Sequence, residues 1–172
     1  MLTKKMQEAL NSQINAEYYS AYLYLSMAAY CERINLKGFG HWFRIQVQEE
    51  TIHVMKFFDY VLDRGGDVAL APVEGPPSKW ESPLAAFEAA LAHEQYITQR
   101  IGKLVDLAIA ESDHLTNALL QWFLTEQIEE EATADQIVHE LKLAGNTPAA
   151  LFMIDRELGA RTLTTGGGAA GA

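Results

Sequence analysis

Glu50 and His53 stand three residues apart in the stretch WFRIQVQEETIH, residues 42–53, a spacing that puts both side chains on one face of a helix. Both are metal ligands by chemistry. Phe43, Val47, Phe57 and Val61 share that face at helical spacing, so a carboxylate and an imidazole occupy a stripe that should be buried. Glu17 breaks a second apolar stripe (Met6, Leu10, Ile14, Ala21, Tyr24, Ala28), and Glu94 a third (Phe87, Leu91, Ile97, Ile101, Leu104). A fourth row, Leu120, Phe123, Ala134 and Ile137, is broken by Gln127 and Glu130, again three apart. Two carboxylates ~5 Å apart repel by about 3 kcal/mol at an effective dielectric of ~20. Glu17, Glu50, Glu94 and Glu130, if brought together, therefore need cations or bound protons. Two divalent ions would balance the four charges. Oxygen ligands with one imidazole suit iron or manganese, and zinc fits as well. A proton-sharing polar network without metal is the alternative reading of the same residues.

These side chains need four long helices to carry them. Thr3 is placed to cap a helix running to about Ile34, and a turn at Asn35 and Leu36 leads into a second of about 28 residues that stops at Gly65-Gly66. The two form an antiparallel hairpin. Residues 66–82, which include VEGPPS, read as a loop. Bundle neighbours are usually joined by ~2–8 residues, whereas this loop, at ~3.3 Å per residue, could run the ~40 Å length of a helix. It is therefore expected to cross over from one end of the bundle to the other. Ser82 caps the third helix with Pro83 in its first turn, and the fourth runs from near Asp113 to about Ala144. Thr147 and Pro148 open a fifth, amphipathic segment carrying Leu151, Ile154 and Leu158. Four helices already close a bundle, so this fifth face is expected to find cover in an oligomer. The tail from Thr164, TTGGGAAGA, is expected to be mobile.

The two hairpins repeat each other. Thirty-three residues separate Glu17 from Glu50 and Glu94 from Gln127, and three separate Glu50 from His53 and Gln127 from Glu130. A shift of 77 residues also carries Ile14 onto Leu91, Val47 onto Leu124 and Val61 onto Val138. This is the internal symmetry of a duplicated helical hairpin. The expected architecture is an all-α four-helix bundle with a long crossover and a short fifth helix. A carboxylate from two helices with a Glu-x-x-His-type pair from the other two is the known pattern of di-iron carboxylate bundles.

Composition removes several other classes. The chain has 172 residues and a formal charge of -10, which argues against nucleic acid or anionic membranes as partners and is compatible with cations. Cys31 is the sole cysteine, so no intrachain disulfide, CxxC pair or cysteine metal knuckle can form. No signal-peptide pattern and no run of ~20 apolar residues is present, so a cytoplasmic protein is expected.

The stretches GFGHWFRIQVQEETIHVMKFFDYVLDRGG and QWFLTEQIEEE, with Glu17, Tyr24 and Glu94 in step, resemble the non-haem bacterial ferritins over residues 1 to 163. That resemblance implies a ferritin-like domain over 1–163 and an iron-storage protein, a hollow 24-mer shell of identical subunits. Each subunit would oxidise Fe(II) with O2 or H2O2 as a ferroxidase and pass Fe(III) inward as mineral. By the same resemblance Glu17, Glu50 and His53 hold one iron, Glu50 bridges, and Glu94 with Glu130 holds the second beside Gln127. Tyr24, two turns from Glu17, resembles a tyrosine that hydrogen-bonds at the centre and can supply an electron, a packed core tyrosine being the alternative. Glu49, Glu126 and Glu129 correspond to an extra iron site near the first two, although Glu129-Glu130-Glu131 also reads as a solvated charge run. Trp122 resembles a position near the centre and is assigned to packing.

The second half departs from the symmetric pattern. Gln127 replaces a charged ligand and Glu130 stands where a second histidine would complete the pair, so the second iron is expected to be held less tightly. Bacterioferritins carry a haem-binding methionine after the bridging Glu; Thr51 stands there, and haem is not expected. The competing function is a retained di-iron oxidase or peroxidase that keeps its two irons while turning over another substrate. His93, His41, His114 and His139 are assigned to outer faces or helix ends. Cys31 is assigned to a small buried or half-buried position near the end of the first helix.

Overall fold

The computed structural model describes residues 2–145 and 147–163; the expected tail from Thr164 lies outside them. Five helices occupy the described residues: α1 (Lys4–Arg33), α2 (Lys37–Asp63), α3 (Pro83–Ala110), α4 (His114–Ala144) and α5 (Pro148–Leu158). The helix starts follow local chemistry. Thr3, Ser82 and Asp113 each accept a hydrogen bond from the main-chain nitrogen three residues on, satisfying a donor that the first turn leaves open. At the far end of α2, Gly65 adopts φ 69, a left-handed turn that glycine enters without steric cost.

Helices α1 and α2 form one hairpin, α3 and α4 the other, and the hairpins pack as an antiparallel four-helix bundle. The segment between α2 and α3 does cross over, running parallel to α1. Asn11 Nδ2 donates to Asp67 O at 2.9 Å, Asn15 Nδ2 to Pro72 O at 3.1 Å and Ser26 Oγ to Pro77 O at 2.6 Å. Gln7, Asn11 and Asn15, one turn apart on the outer face of α1, thus give this irregular backbone partners that it cannot find within itself. At one end Arg64 ties α2 to α4 through Asp113 at 3.1 Å.

Apolar side chains buried between the helices contribute about 1.5–3 kcal/mol each, but here they form two clusters rather than one. One gathers Leu23, Met27, Phe39, Trp42, Phe43, Phe87 and Ile137; the other gathers Leu10, Ile14, Val54, Phe57, Ile97, Ile101, Leu120 and Phe123. Along α1 to α4 the acidic exceptions Glu17, Glu50, Glu94 and Glu130 fall between the two clusters, so the bundle is greasy at both ends and acidic at its middle. Two expectations change. Val47 and Leu91 are half-buried, whereas the neighbouring Gln46 and Ala90 are buried. The face of α5 carrying Leu151, Ile154 and Leu158 finds its cover within the chain, packed against the first cluster, while Phe152 and Met153 stay exposed.

The docking of α5 repairs a defect in α2. Leu36, at the N-cap of α2, offers no side-chain acceptor, and Asp155 of α5 supplies one: its Oδ1 accepts from Gly38 N at 2.8 Å and Phe39 N at 3.1 Å. Glycine at 38 makes the approach possible, since a Cβ there would stand 1.6 Å from Asp155 O.

Candidate metal centre

Helical spacing brings Glu17 from α1, Glu50 and His53 from α2, Glu94 from α3 and Gln127 and Glu130 from α4 into the acidic middle layer. Glu17, Glu50, His53, Glu94 and Gln127 are buried, and Glu130 has only 10% of its side chain exposed. Two groups of three close tightly: Glu17, Glu50 and His53, and Glu50, Glu94 and Glu130, each with ligand atoms within 4.8 Å of one another. Glu50 belongs to both. A carboxylate has two oxygens, so this is the geometry by which one side chain could bridge two ions.

Neighbouring side chains orient these groups. Gln13 donates to Glu17 Oε1 at 2.7 Å and accepts from Arg100 Nε at 2.9 Å, so α3 steadies a side chain of α1 through an amide. Tyr24 donates its phenolic proton to Glu94 Oε1. Gln127 turns its amide nitrogen to Glu94, reaching the main-chain oxygen and Oε2 at 3.2 Å each, and to Thr98 Oγ1. Gln127 therefore acts here as a donor that positions Glu94. The His53 ring is wedged edge-on against Trp122 and Phe123, with Nδ1 3.5 Å from Glu50 and Nε2 3.9 Å from Glu130.

The electrostatics are those of a cation site. Burial, then the Glu94 and Glu17 charges, pushes the Glu50 carboxyl well above its ordinary range; burial, then Glu94 and Glu50, does the same to Glu130. Glu17 is raised by burial against the opposing pull of His53. Burial and the charge of Glu94 push the Tyr24 phenol well up, which keeps it protonated as a donor. Glu17 Oε2 and Glu130 Oε2 are buried with no hydrogen-bond partner. Orphaned acceptors in a crowded acidic layer fit cations, and the oxygen-rich donor set with one imidazole suits iron.

Glu49, Glu126 and Glu129 lie beside this layer rather than in it. With Gln46, Glu130, Thr133 and Arg161 they line a cavity of about 30 Å³ between α2 and α4. Glu49 is buried, Glu126 half-buried and Glu129 exposed. Sequence reasoning missed three residues around the centre. Gln13 was legible, standing one turn before Glu17 on the same face. Arg161 lies past the last helix, where periodicity says nothing. His93, assigned to an outer face, is half-buried: its Nε2 is 2.7 Å from Ser20 Oγ and its ring meets Tyr19 and Tyr24. The crossover and α1 cover a flank of α3 that a lone helix would leave to water. His114 and His139 are exposed, and Cys31 is buried as expected. No helix among the described residues is long and apolar enough to cross a membrane.

Comparison with known proteins agrees with the architecture. Residues 7–144 match the ferritin-like domain family model. The chain is 44% identical over 161 residues to a bacterial non-heme ferritin of Bacteroides fragilis, covering 94% of this chain and 100% of the relative. It is 39% identical over 162 residues to the Staphylococcus aureus counterpart, covering 94% and 98%. Among solved structures, an open-pore ferritin from the hyperthermophilic archaeon Archaeoglobus fulgidus superposes with a TM-score of 0.94 at 55% identity, over 94% of this chain and all of that one. A closed form of that ferritin, engineered by site-directed mutagenesis, also gives 0.94 at 55% identity, over 95% of this chain and all of that one. Five helices in this order, two hairpins joined by a crossover and a match along almost the whole length place the chain in the ferritin family.

Proposed function

We propose that this protein is an iron-storage ferroxidase. Fe(II) enters the acidic layer as substrate; Glu17, Glu50 and His53 take one ion, and Glu50, Glu94 and Glu130 the other. The observation that carries this reading is Glu50's membership of both ligand groups. Before iron binds, carboxyls whose pKa is raised keep protons, and entry of a divalent ion displaces them. Each pair of Fe(II) gives up two electrons. With O2 and two protons the product is H2O2; with H2O2 and two protons it is two waters. Tyr24 keeps Glu94 in place, and Gln127 steadies the same carboxylate from α4. Glu130, where a second imidazole would make a firmer site, leaves one ion more weakly held, which suits a centre that hands its product on as mineral.

The active form is a homo-oligomeric 24-mer shell in the cytoplasm, built from a domain spanning residues 1–163. A third ion is taken at Glu49, Glu126 and Glu129. The test is the assembly's mass by size exclusion together with iron loaded per chain under air. The expected result is a very large particle accumulating many irons per chain, with Glu50→Ala losing fast oxidation. A small species that saturates at two irons per chain would instead indicate a retained di-iron oxidase or peroxidase.

A further inference from the structure

Arg161 follows α5 in sequence, yet its side chain ends among the acidic residues on the α2/α4 side of the metal centre. Its Nη2 donates to Glu49 Oε2 at 2.7 Å, its guanidinium lies 4.5 Å from the centre of the Trp42 ring, and its main-chain oxygen is 2.8 Å from His41 Nε2. It lines the same small cavity as Glu49, Glu126, Glu129 and Glu130. At about 30 Å³ that space takes one ion or one water. Two atoms of its lining residues, Arg161 Nη1 and Glu130 Oε2, are buried with no hydrogen-bond partner. The guanidinium therefore sits in the pocket incompletely bonded, and the same pocket is lined by Glu130, whose Oε2 is also unpartnered.

We propose that Arg161 is a tethered counter-ion that holds the acidic pocket in place of a metal ion, and that it must swing aside before Glu49, Glu126 and Glu129 close on a third cation. The inference rests on reading the middle layer as an iron centre and these three residues as an adjoining cation site. A guanidinium and a divalent ion compete for the same carboxylate oxygens. The ion brings twice the charge, while the guanidinium is always present at the high effective concentration of a short tether. Arg161 lowers the pocket's apparent affinity, so the third ion binds only when iron is abundant. The tether allows the exchange. Residues 159–163 follow the last helical residue, Leu158, so the side chain can leave while Asp155 keeps α5 docked on α2.

The test titrates the assembled protein anaerobically with Fe(II), and separately with Zn(II), following heat for wild type, Arg161→Gln and Arg161→Lys. The expected result is two tight events common to all three proteins. A weaker third event should tighten about tenfold or more in Arg161→Gln and stay near wild type in Arg161→Lys. A third event of equal or lower affinity in Arg161→Gln, or none in either protein, overturns the proposal while the two tight events leave the iron centre standing. Absence of the two tight events in wild type overturns the iron-centre reading itself and the proposal with it. A second measurement needs no change at Arg161: Zn(II), which does not itself quench, is added to wild type while tryptophan emission is followed against a Trp42→Phe reference. Emission from Trp42 should change at the third equivalent, as the guanidinium leaves its ring. A Trp42 signal constant through that equivalent overturns the proposal.

Discussion

Glu50 is the residue on which the centre turns, and its burial makes a pH signature. In the iron-free protein the raised carboxyls of Glu17, Glu50 and Glu130 stay protonated in the fold at pH values where the unfolded chain, near 4.5, has released its protons. Between those values the folded state binds more protons, so stability falls as pH rises. The stabilising contribution is complete below about 4.5, is lost as pH climbs through the raised folded values, and is flat above them. Thermal midpoints of chelator-treated protein should therefore decline as the pH is raised from about 4.5. Glu50→Gln should flatten that decline and raise the midpoint at the alkaline end, and saturating Zn(II) should reverse it in wild type. A midpoint that rises over the range would contradict the buried-carboxylate account. Tyr24→Phe removes a donor from the buried Glu94 oxygen, a loss of about 1–3 kcal/mol. Chemical denaturation should show that loss, and stopped-flow absorbance should show slower iron oxidation with Fe(II) binding retained.

Among the elements, α5 has the least packing of its own and the widest consequences. It covers one end of the core, caps α2 through Asp155 and positions the segment that carries Arg161. Asp155→Ala should cost about 1 kcal/mol, the usual loss of an N-cap, measured by denaturant unfolding. Gly38→Ala should cost more, roughly 1–3 kcal/mol or above, because the new methyl meets main-chain oxygen rather than a side chain that could turn away. Hydrogen exchange should then be faster across residues 148–158 while amides in the middle of α1 to α4 remain protected. Equal exchange in the two proteins would mean that α5 docks without the close Gly38 contact.

For the whole molecule, the proposed assembly predicts that some apolar surface is left exposed for other copies to cover. Phe152 and Met153 are 62% and 71% exposed on α5, although its other face is covered within the chain. Large side chains left to water on a short docked helix are the surface expected of an assembly contact. The double variant Phe152→Glu, Met153→Lys should lower the particle mass by light scattering and leave the helical circular dichroism unchanged. An unchanged mass would move the contact elsewhere, Ile128 and Leu143 being more exposed still at 74% and 88%.

The sequence by itself determined the four rods, the crossover, the fifth helix and the polar layer, since each follows from local geometry: a period of 3.6 residues, caps at known offsets, and the repeated spacings of thirty-three and three. Glu17, Glu50, His53, Glu94, Gln127 and Glu130 were legible because a polar residue in an apolar stripe is visible without knowing what faces it. Tertiary structure alone decided what they face. That Glu50 enters both ligand groups, that Gln127 turns its nitrogen to Glu94, that His93 is covered and that α5 folds back on its own bundle all depend on which helix faces meet. Arg161 is the extreme case: outside any helix it has no period to read, and only the docking of α5 brings its charge to Glu49.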